Sequence, residues 1–246
     1  MNSDHITLTQ SQVESYESEG YLVVHDLLSP QEVEDFLEAE HQRDPEAEPP
    51  GLRGHTQDAA RDYLARHPRI VSVVQQLIGG RPHIVQTMFM AKNPGGTTGV
   101  ALHQDTHYIK NDPNTLMACW IAFSDTSPEN GGLCVVPGSN KRGLLNAGRV
   151  RDTAQHTAWD NTYDMSDPDG REWQQPMHSF DIAEIEEDEL ARLTVPAGAG
   201  VFFTGMTAHG SFANESQDRE RLAFATHYVR EETWIYRKDV QETVPV

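Results

Sequence analysis

The spacing of apolar residues changes character near residue 80 of this 246-residue chain. Before that point apolar positions recur at helical intervals; after it they gather into short runs between turn residues. Thr9 can cap a short helix through Glu19, and Gly20 can end it. Tyr21 to Val24 is a short β-prone run. Ser29-Pro30-Gln31-Glu32 is a reinforced helix start: Ser29 as N-cap, Pro30 at the first helical position and Glu32 closing a capping box. Val33, Phe36 and Leu37 then form an apolar stripe at i, i+3, i+4. Residues 43–56, with Pro45, Pro49, Pro50 and Gly51, read as a loop. Asp58 to Arg66 and Pro68 to Ile78 read as two more helices, the second stopped by Gly79-Gly80.

From residue 82 the runs are β-branched or aromatic: His83–Ala91, Leu116–Phe123, Leu133–Val136, Leu193–Val195, Gly200–Phe203 and Leu222–Val229. Asn93-Pro94-Gly95-Gly96, Glu129-Asn130-Gly131-Gly132 and Pro196-Ala197-Gly198 punctuate them. Many short strands with such turns predict a mainly β sandwich or jelly roll. Residues 141–190 are polar and show no strand period, yet carry Trp159, Tyr163 and Trp173. Such an insertion reads as an ordered lid or pocket wall. No repeat, linker or low-complexity tract divides the chain. The expectation is one domain over 1–246: helical over 1–80, then a β core over 83–229 with the lid at 141–190.

Composition narrows the partners. The apolar fraction of 37% suits a packed globular protein. The net charge of -19 opposes binding to nucleic acid and to anionic membranes. Only 4 lysines stand beside 15 arginines. The two cysteines, Cys119 and Cys134, lie in apolar runs and read as buried thiols. Met1 to Gln10 shows no basic and apolar signal segment, and no run is long enough to span a bilayer, so the expected location is cytoplasmic. The oligomeric state is left open.

Three elements carry candidate chemistry. His103-Gln104-Asp105, if extended, points an imidazole and a carboxylate to one face, where both can reach one metal. Chance supplies about one such triplet in a chain with this content of His and Asp, so its weight comes from its company. His209 follows the apolar run Val201-Phe202-Phe203 and offers a second imidazole. Two histidines and one carboxylate with open positions are the facial triad of non-haem Fe(II) oxygenases. Arg221 lies twelve residues after His209. On an adjacent antiparallel strand it would reach the same cavity, where an inward guanidinium requires an anion and suits a carboxylate. Ser211 shares a face with His209 and could donate a second bond to that carboxylate.

In this arrangement the chain resembles the phytanoyl-CoA dioxygenase family of Fe(II)- and 2-oxoglutarate-dependent oxygenases. The resemblance is carried by Gln86–Gly95, Leu102-His103-Gln104-Asp105, Glu129-Asn130-Gly131-Gly132, the turn Val136-Pro137-Gly138-Ser139-Asn140, His209-Gly210-Ser211 and Arg221, and it covers roughly residues 83–229. Asn140 departs from the family's PGSH-like turn. The resemblance implies a double-stranded β-helix (a jelly roll, cupin-like) with flanking N-terminal α-helices. It implies His103, Asp105 and His209 as ligands of Fe(II). Arg221 and Ser211 would hold the distal carboxylate of 2-oxoglutarate, with Gln86 and Lys92 beside it and Trp120 as a pocket wall or ordinary core. The implied reaction uses O2 to hydroxylate an unactivated C–H bond and releases succinate and CO2. Halogenases of this broad class replace the metal carboxylate with Gly or Ala; Asp105 closes that route here.

Substrate contacts are expected from His107, two residues past Asp105, from Tyr108, and from Arg149 and Trp159 in the insertion. Arginines 142, 149 and 151 could suit an anionic substrate or simply pair with the loop's own Asp and Glu. An acidic, Lys-poor chain argues against a phosphate-rich CoA ester and for a small polar metabolite or natural-product intermediate. Two other readings use the same residues: a non-catalytic protein that binds a metal or 2-oxoglutarate, and a Zn(II) hydrolase.

Overall fold

The computed structural model describes residues 5–44 and 51–246. Two antiparallel sheets organise it. The larger has six strands in the order Tyr21–Val24, Gly200–Thr204, Met117–Ala122, Arg221–Arg230, Pro82–Lys92, Val244–Pro245. The smaller has four, in the order Ala191–Arg192, Leu133–Val135, His209–Ser211, Val100–His103. The architecture is the mainly β jelly roll that the turn-punctuated runs predict.

Strand Met117–Ala122 shows why the central runs lack polar alternation. All six of its residues are buried. Met117, Cys119 and Ile121 pack on the helix side of the large sheet, while Ala118, Trp120 and Ala122 face inward toward Leu133 and Val195. A strand buried on both faces reads as one apolar run. Both cysteines are buried free thiols.

The N-terminal helices cover the outer face of the large sheet. Thr9 and Ser29 each close a capping box, with Gln12 and Glu32, on helices Gln10–Glu19 and Pro30–His41. Phe36 projects from the second onto Phe89, Phe123 and Phe224, at ring separations of 5.8, 4.5 and 5.4 Å. Its removal from water contributes on the order of 2–3 kcal/mol. Helix Pro68–Ile78 buries Ile70, Val73 and Val74 on the same sheet. Gly79 ends it in the left-handed conformation. No helix among the described residues is long and apolar enough to cross a membrane.

Several expectations are corrected. Leu193–Val195 is not a strand: the pairing strand is Ala191–Arg192, and Val195 makes an isolated bridge to Thr126. The 141–190 segment is not without strands. Asp160–Ser166 and Glu172–His178 form a hairpin in continuous register. Only Met165, Ser166 and Met177 of its residues are buried, all near its ends, so no apolar alternation marks it. Positions 45–50 of the expected 43–56 loop lie outside the described residues; within the remainder, Gly54–Thr56 is a short 3-10 turn.

One close approach links the helices to the β core. Gly20 ends the first helix at φ +81°, and a Cβ there would lie 2.6 Å from Thr207 Oγ1 and 2.7 Å from Asn140 Cγ. Thr207 Oγ1 donates to the Gly20 carbonyl at 2.6 Å, and the Thr207 carbonyl accepts from His209 Nδ1. Gly20→Ala is therefore expected to lower stability by roughly 1–3 kcal/mol, from the left-handed conformation plus the clash. Because Thr207 also orients His209, metal affinity should fall with it; chemical denaturation and metal titration of the variant check both.

Candidate active site

His103 ends strand Val100–His103, and His209 opens strand His209–Ser211, its direct partner in the small sheet. Their rings lie 4.3 Å apart. Asp105 does not continue the strand: after the extended Gln104 it starts a 3-10 turn, Asp105–His107. The extended Gln104 puts the His103 and Asp105 side chains on one face, and the chain turns away only after Asp105. Asp105 Oδ1 lies 3.6 Å from His103 Nε2 and 3.7 Å from His209 Nε2. Ligand atoms of these three residues all fall within 4.8 Å of one another, close enough to hold one metal ion.

Their hydrogen bonds fit them for that role. His103 Nδ1 donates to the Ala101 carbonyl, and His209 Nδ1 to the Thr207 carbonyl, both at 2.9 Å. With Nδ1 donating, each ring turns its Nε2 toward Asp105. Burial pushes His209 down to about 4, so it stays neutral at physiological pH. Burial also pushes Asp105 up, but His209, His227 and His103 outweigh it and hold the carboxyl well below its ordinary value. Two imidazoles and one carboxylate suit a divalent transition metal with open positions.

Arg221 arrives from the other sheet. It does not lie beside His209, as expected from sequence, but on strand Arg221–Arg230 of the large sheet. In that sheet Arg221 pairs with Lys92, Ala223 with Met90, Ala225 with Met88 and His227 with Gln86. Arg221 and Lys92 are 3% and 4% exposed, and no carboxylate among the described residues forms a salt bridge with either. Arg221 Nε donates to the Gly131 carbonyl at 3.1 Å and Nη1 to the Met90 carbonyl at 3.2 Å. Lys92 Nζ donates to Ser211 Oγ at 2.9 Å and to the Phe212 carbonyl. Burial and the neighbouring guanidinium push Lys92 down to about 7, and burial pushes Arg221 down to about 10. The Asn130-Gly131-Gly132 turn makes room: Gly131 has φ +90°, and a Cβ there would meet Lys92 Cδ at 2.7 Å. Two buried cations without a carboxylate suit an anion.

The remaining expected residues separate. Gln86 turns its amide to His227 and Arg237. Trp120 is buried in the inner apolar cluster with Phe203, whose ring lies 4.3 Å from that of His209. Both His107 ring nitrogens lie against backbone carbonyls, of Gln104 and Leu145, and its ring lies 5.0 Å from that of Phe180. Tyr108 sits 5.3 Å from the His103 ring, and next to it come Phe180 at 4.9 Å and the exposed Trp159 at 5.6 Å. Arg149 is exposed and ion-paired with Asp160; Arg142 is paired with Glu189 at 2.5 Å. Those two arginines answer the acidic surface rather than wait for an anionic ligand.

The sequence reading passed over His227. Its Nε2 lies 3.1 Å from Asp105 Oδ2, and it is buried. Counting by twos from Arg221 along its strand would have reached it.

The family model for phytanoyl-CoA dioxygenase matches residues 16–223. The chain belongs to the phytanoyl-CoA dioxygenase family. A phytanoyl-CoA dioxygenase of Arabidopsis thaliana is 29% identical over 173 residues, which is 68% of this chain and 53% of the plant protein. An ectoine dioxygenase of Bordetella parapertussis is 28% identical over 230 residues, 85% of this chain and 71% of that protein. The chain spans about half the length of the first curated relatives it matches. Among solved structures, the epimerase SnoN in complex with Fe3+, alpha ketoglutarate and nogalamycin RO superposes with a TM-score of 0.69 at 21% identity, covering 93% of this chain and 85% of SnoN. That likeness shows the shared fold.

Proposed function

We propose that the protein is an Fe(II)- and 2-oxoglutarate-dependent dioxygenase that hydroxylates an unactivated C–H bond of a small metabolite or natural-product intermediate. The observation that carries this reading is the pairing of two features in one interior. Three converging donors, His103 Nε2, Asp105 Oδ1 and His209 Nε2, share it with the carboxylate-free cation pair Lys92–Arg221. When bound, Fe(II) with 2-oxoglutarate and O2 supplies a two-electron oxidation whose by-products are succinate and CO2.

The protein's own groups divide the work. His103, Asp105 and His209 would hold the metal. Lys92, Arg221 and Ser211 receive the distal carboxylate of 2-oxoglutarate. Ser211 lies two residues past His209, about 6.6 Å along the strand, which matches the reach of a five-carbon diacid. Burial pushes Tyr108 up to about 12, so its hydroxyl stays protonated. That hydroxyl accepts from the Phe180 amide and keeps its own proton for an organic substrate. Tyr108, Phe180 and Trp159 give that substrate an aromatic wall. SnoN, solved with iron and alpha ketoglutarate, and the ectoine dioxygenase relative support the class of chemistry. SnoN is described as an epimerase, so hydroxylation is the finer part of the proposal.

The test is succinate formation. With Fe(II), 2-oxoglutarate and O2 the protein should make succinate, and a productive substrate should raise the rate over the substrate-free background. The panel should include small zwitterions and polycyclic natural products. Zn(II) in place of Fe(II) should abolish turnover. Hydrolysis that persists in the presence of a 2-oxoglutarate analogue would turn the reading to a zinc hydrolase. No succinate with any panel member would turn it to a binding protein.

A further inference from the structure

We propose that His227 is a positioning residue that holds Asp105 as a one-oxygen metal ligand, with Gln86 and Arg237 setting which of its nitrogens carries the proton. The inference rests on the metal-binding reading of His103, Asp105 and His209.

Four buried side chains make a directional relay across the large sheet. Arg237, Gln86, His227 and Asp105 are each at most 6% exposed. The order of donors starts from Arg237, which has N–H groups only and cannot accept. Its Nη2 meets Gln86 at 3.4 Å, so the Gln86 atom facing it must be the carbonyl Oε1. The Gln86 amide nitrogen then faces His227 Nδ1 at 3.4 Å and donates to it. With Nδ1 accepting, the His227 proton sits on Nε2, and Nε2–H donates to Asp105 Oδ2 at 3.1 Å. Arg237 is itself fixed by Asp239 at 2.7 Å and by the Tyr108 carbonyl at 3.3 Å.

The consequence falls on Asp105. Its Oδ2 is engaged by a donor, so only Oδ1 faces the two bare imidazole nitrogens, at 3.6 and 3.7 Å. Were Oδ2 free, the carboxylate could rotate and offer both oxygens to a metal. That would consume one of the open positions that a chelating co-substrate and O2 need. No side chain of the relay need touch substrate. His227 shares its inward face with Arg221 at the far end of the same strand, with only Ala223 and Ala225 between them on that face. One strand would thus fix both the carboxylate ligand and the anion site.

The experiment is Mn(II) binding to the metal-free full-length chain with 2-oxoglutarate present, read from the electron paramagnetic resonance signal of the free ion. Thermal melting of the same metal-free proteins runs alongside. His227→Phe keeps a ring without the donor; His227→Gln keeps an N–H donor at a similar reach. Loss of an outer hydrogen bond to a ligand typically costs 10- to 100-fold in metal affinity, so His227→Phe should weaken Mn(II) binding by roughly that factor. His227→Gln should recover to within about threefold of wild type, and Gln86→Leu should fall between. A His227→Phe affinity within about twofold of wild type, while Asp105→Ala loses binding, overturns the positioning role and leaves the three-ligand site standing. If Asp105→Ala binds Mn(II) as wild type does, the ligand reading fails and this proposal with it. Should His227→Phe not fold, Gln86→Leu decides: weakened binding supports the relay, and unchanged binding overturns it.

Discussion

Replacing Asp105 with Ala should reduce 2-oxoglutarate turnover below detection, a loss of at least about 10³-fold, or roughly 4 kcal/mol of barrier. Asp105 supplies the only negative charge among the three converging donors. Without it two imidazoles remain, a set with no anionic donor and too weak to retain a divalent ion at ordinary concentrations. The loss has a second, separable signature in stability. In the metal-free protein, Asp105→Ala leaves the His227 Nε2–H without its acceptor, a cost of about 1–3 kcal/mol. Removing a buried carboxylate offsets part of that. Added metal should then discriminate between the chains. At 100 times its dissociation constant it should stabilise wild type by about 2.7 kcal/mol and leave the variant unmoved. Turnover above a tenth of wild type, or an equal stability gain from metal in both proteins, would remove Asp105 from the ligand set.

The residue types and their order are legible in the sequence: His103, Asp105 and His209 converge, and Arg221 is buried. Their relative placement was not legible, because it depends on pairing between distant segments. Arg221 and His209 occupy different sheets, and twelve residues of separation suggested neighbouring strands instead. Lys92 drew little weight in sequence, yet it is the cross-strand partner of Arg221, a relation set only by register. His227 looked like one more residue of an apolar run; a turn 122 residues away makes it a partner of Asp105. The helices were read closely because capping boxes and left-handed glycines are local signals. The Asp160–Ser166 and Glu172–His178 hairpin is hard to read because its few buried residues, Met165, Ser166 and Met177, form no apolar alternation along either strand.

Arg221→Ala should raise the 2-oxoglutarate KM about 30-fold or more while changing kcat little, since truncating one partner of a buried charge pair costs about 2–5 kcal/mol of binding. The pH dependence tells an anion site from a structural arginine. Without a ligand, Lys92 is pushed down to about 7 by burial and by Arg221. An anion beside it favours the charged form and raises that value on binding. Below pH 7 the ammonium is already formed and 2-oxoglutarate binds at full strength. As pH rises through 7, binding must first recruit a proton, so KM climbs until the higher pKa of the complex is passed. Folding follows the complementary sign. The unfolded chain holds the Lys92 proton up to the ordinary value of 10.5, and the folded one releases it near 7. The cost of burying the charge is therefore complete below pH 7 and is relieved as pH rises between those values; saturating 2-oxoglutarate should flatten this slope. Lys92→Met should abolish the KM break, with a smaller rise in KM than Arg221→Ala causes. In Arg221→Ala the repulsion from the guanidinium is gone, so the break should move above pH 7. A KM profile identical in wild type and Lys92→Met, together with an unchanged KM in Arg221→Ala, would place the co-substrate's distal carboxylate elsewhere.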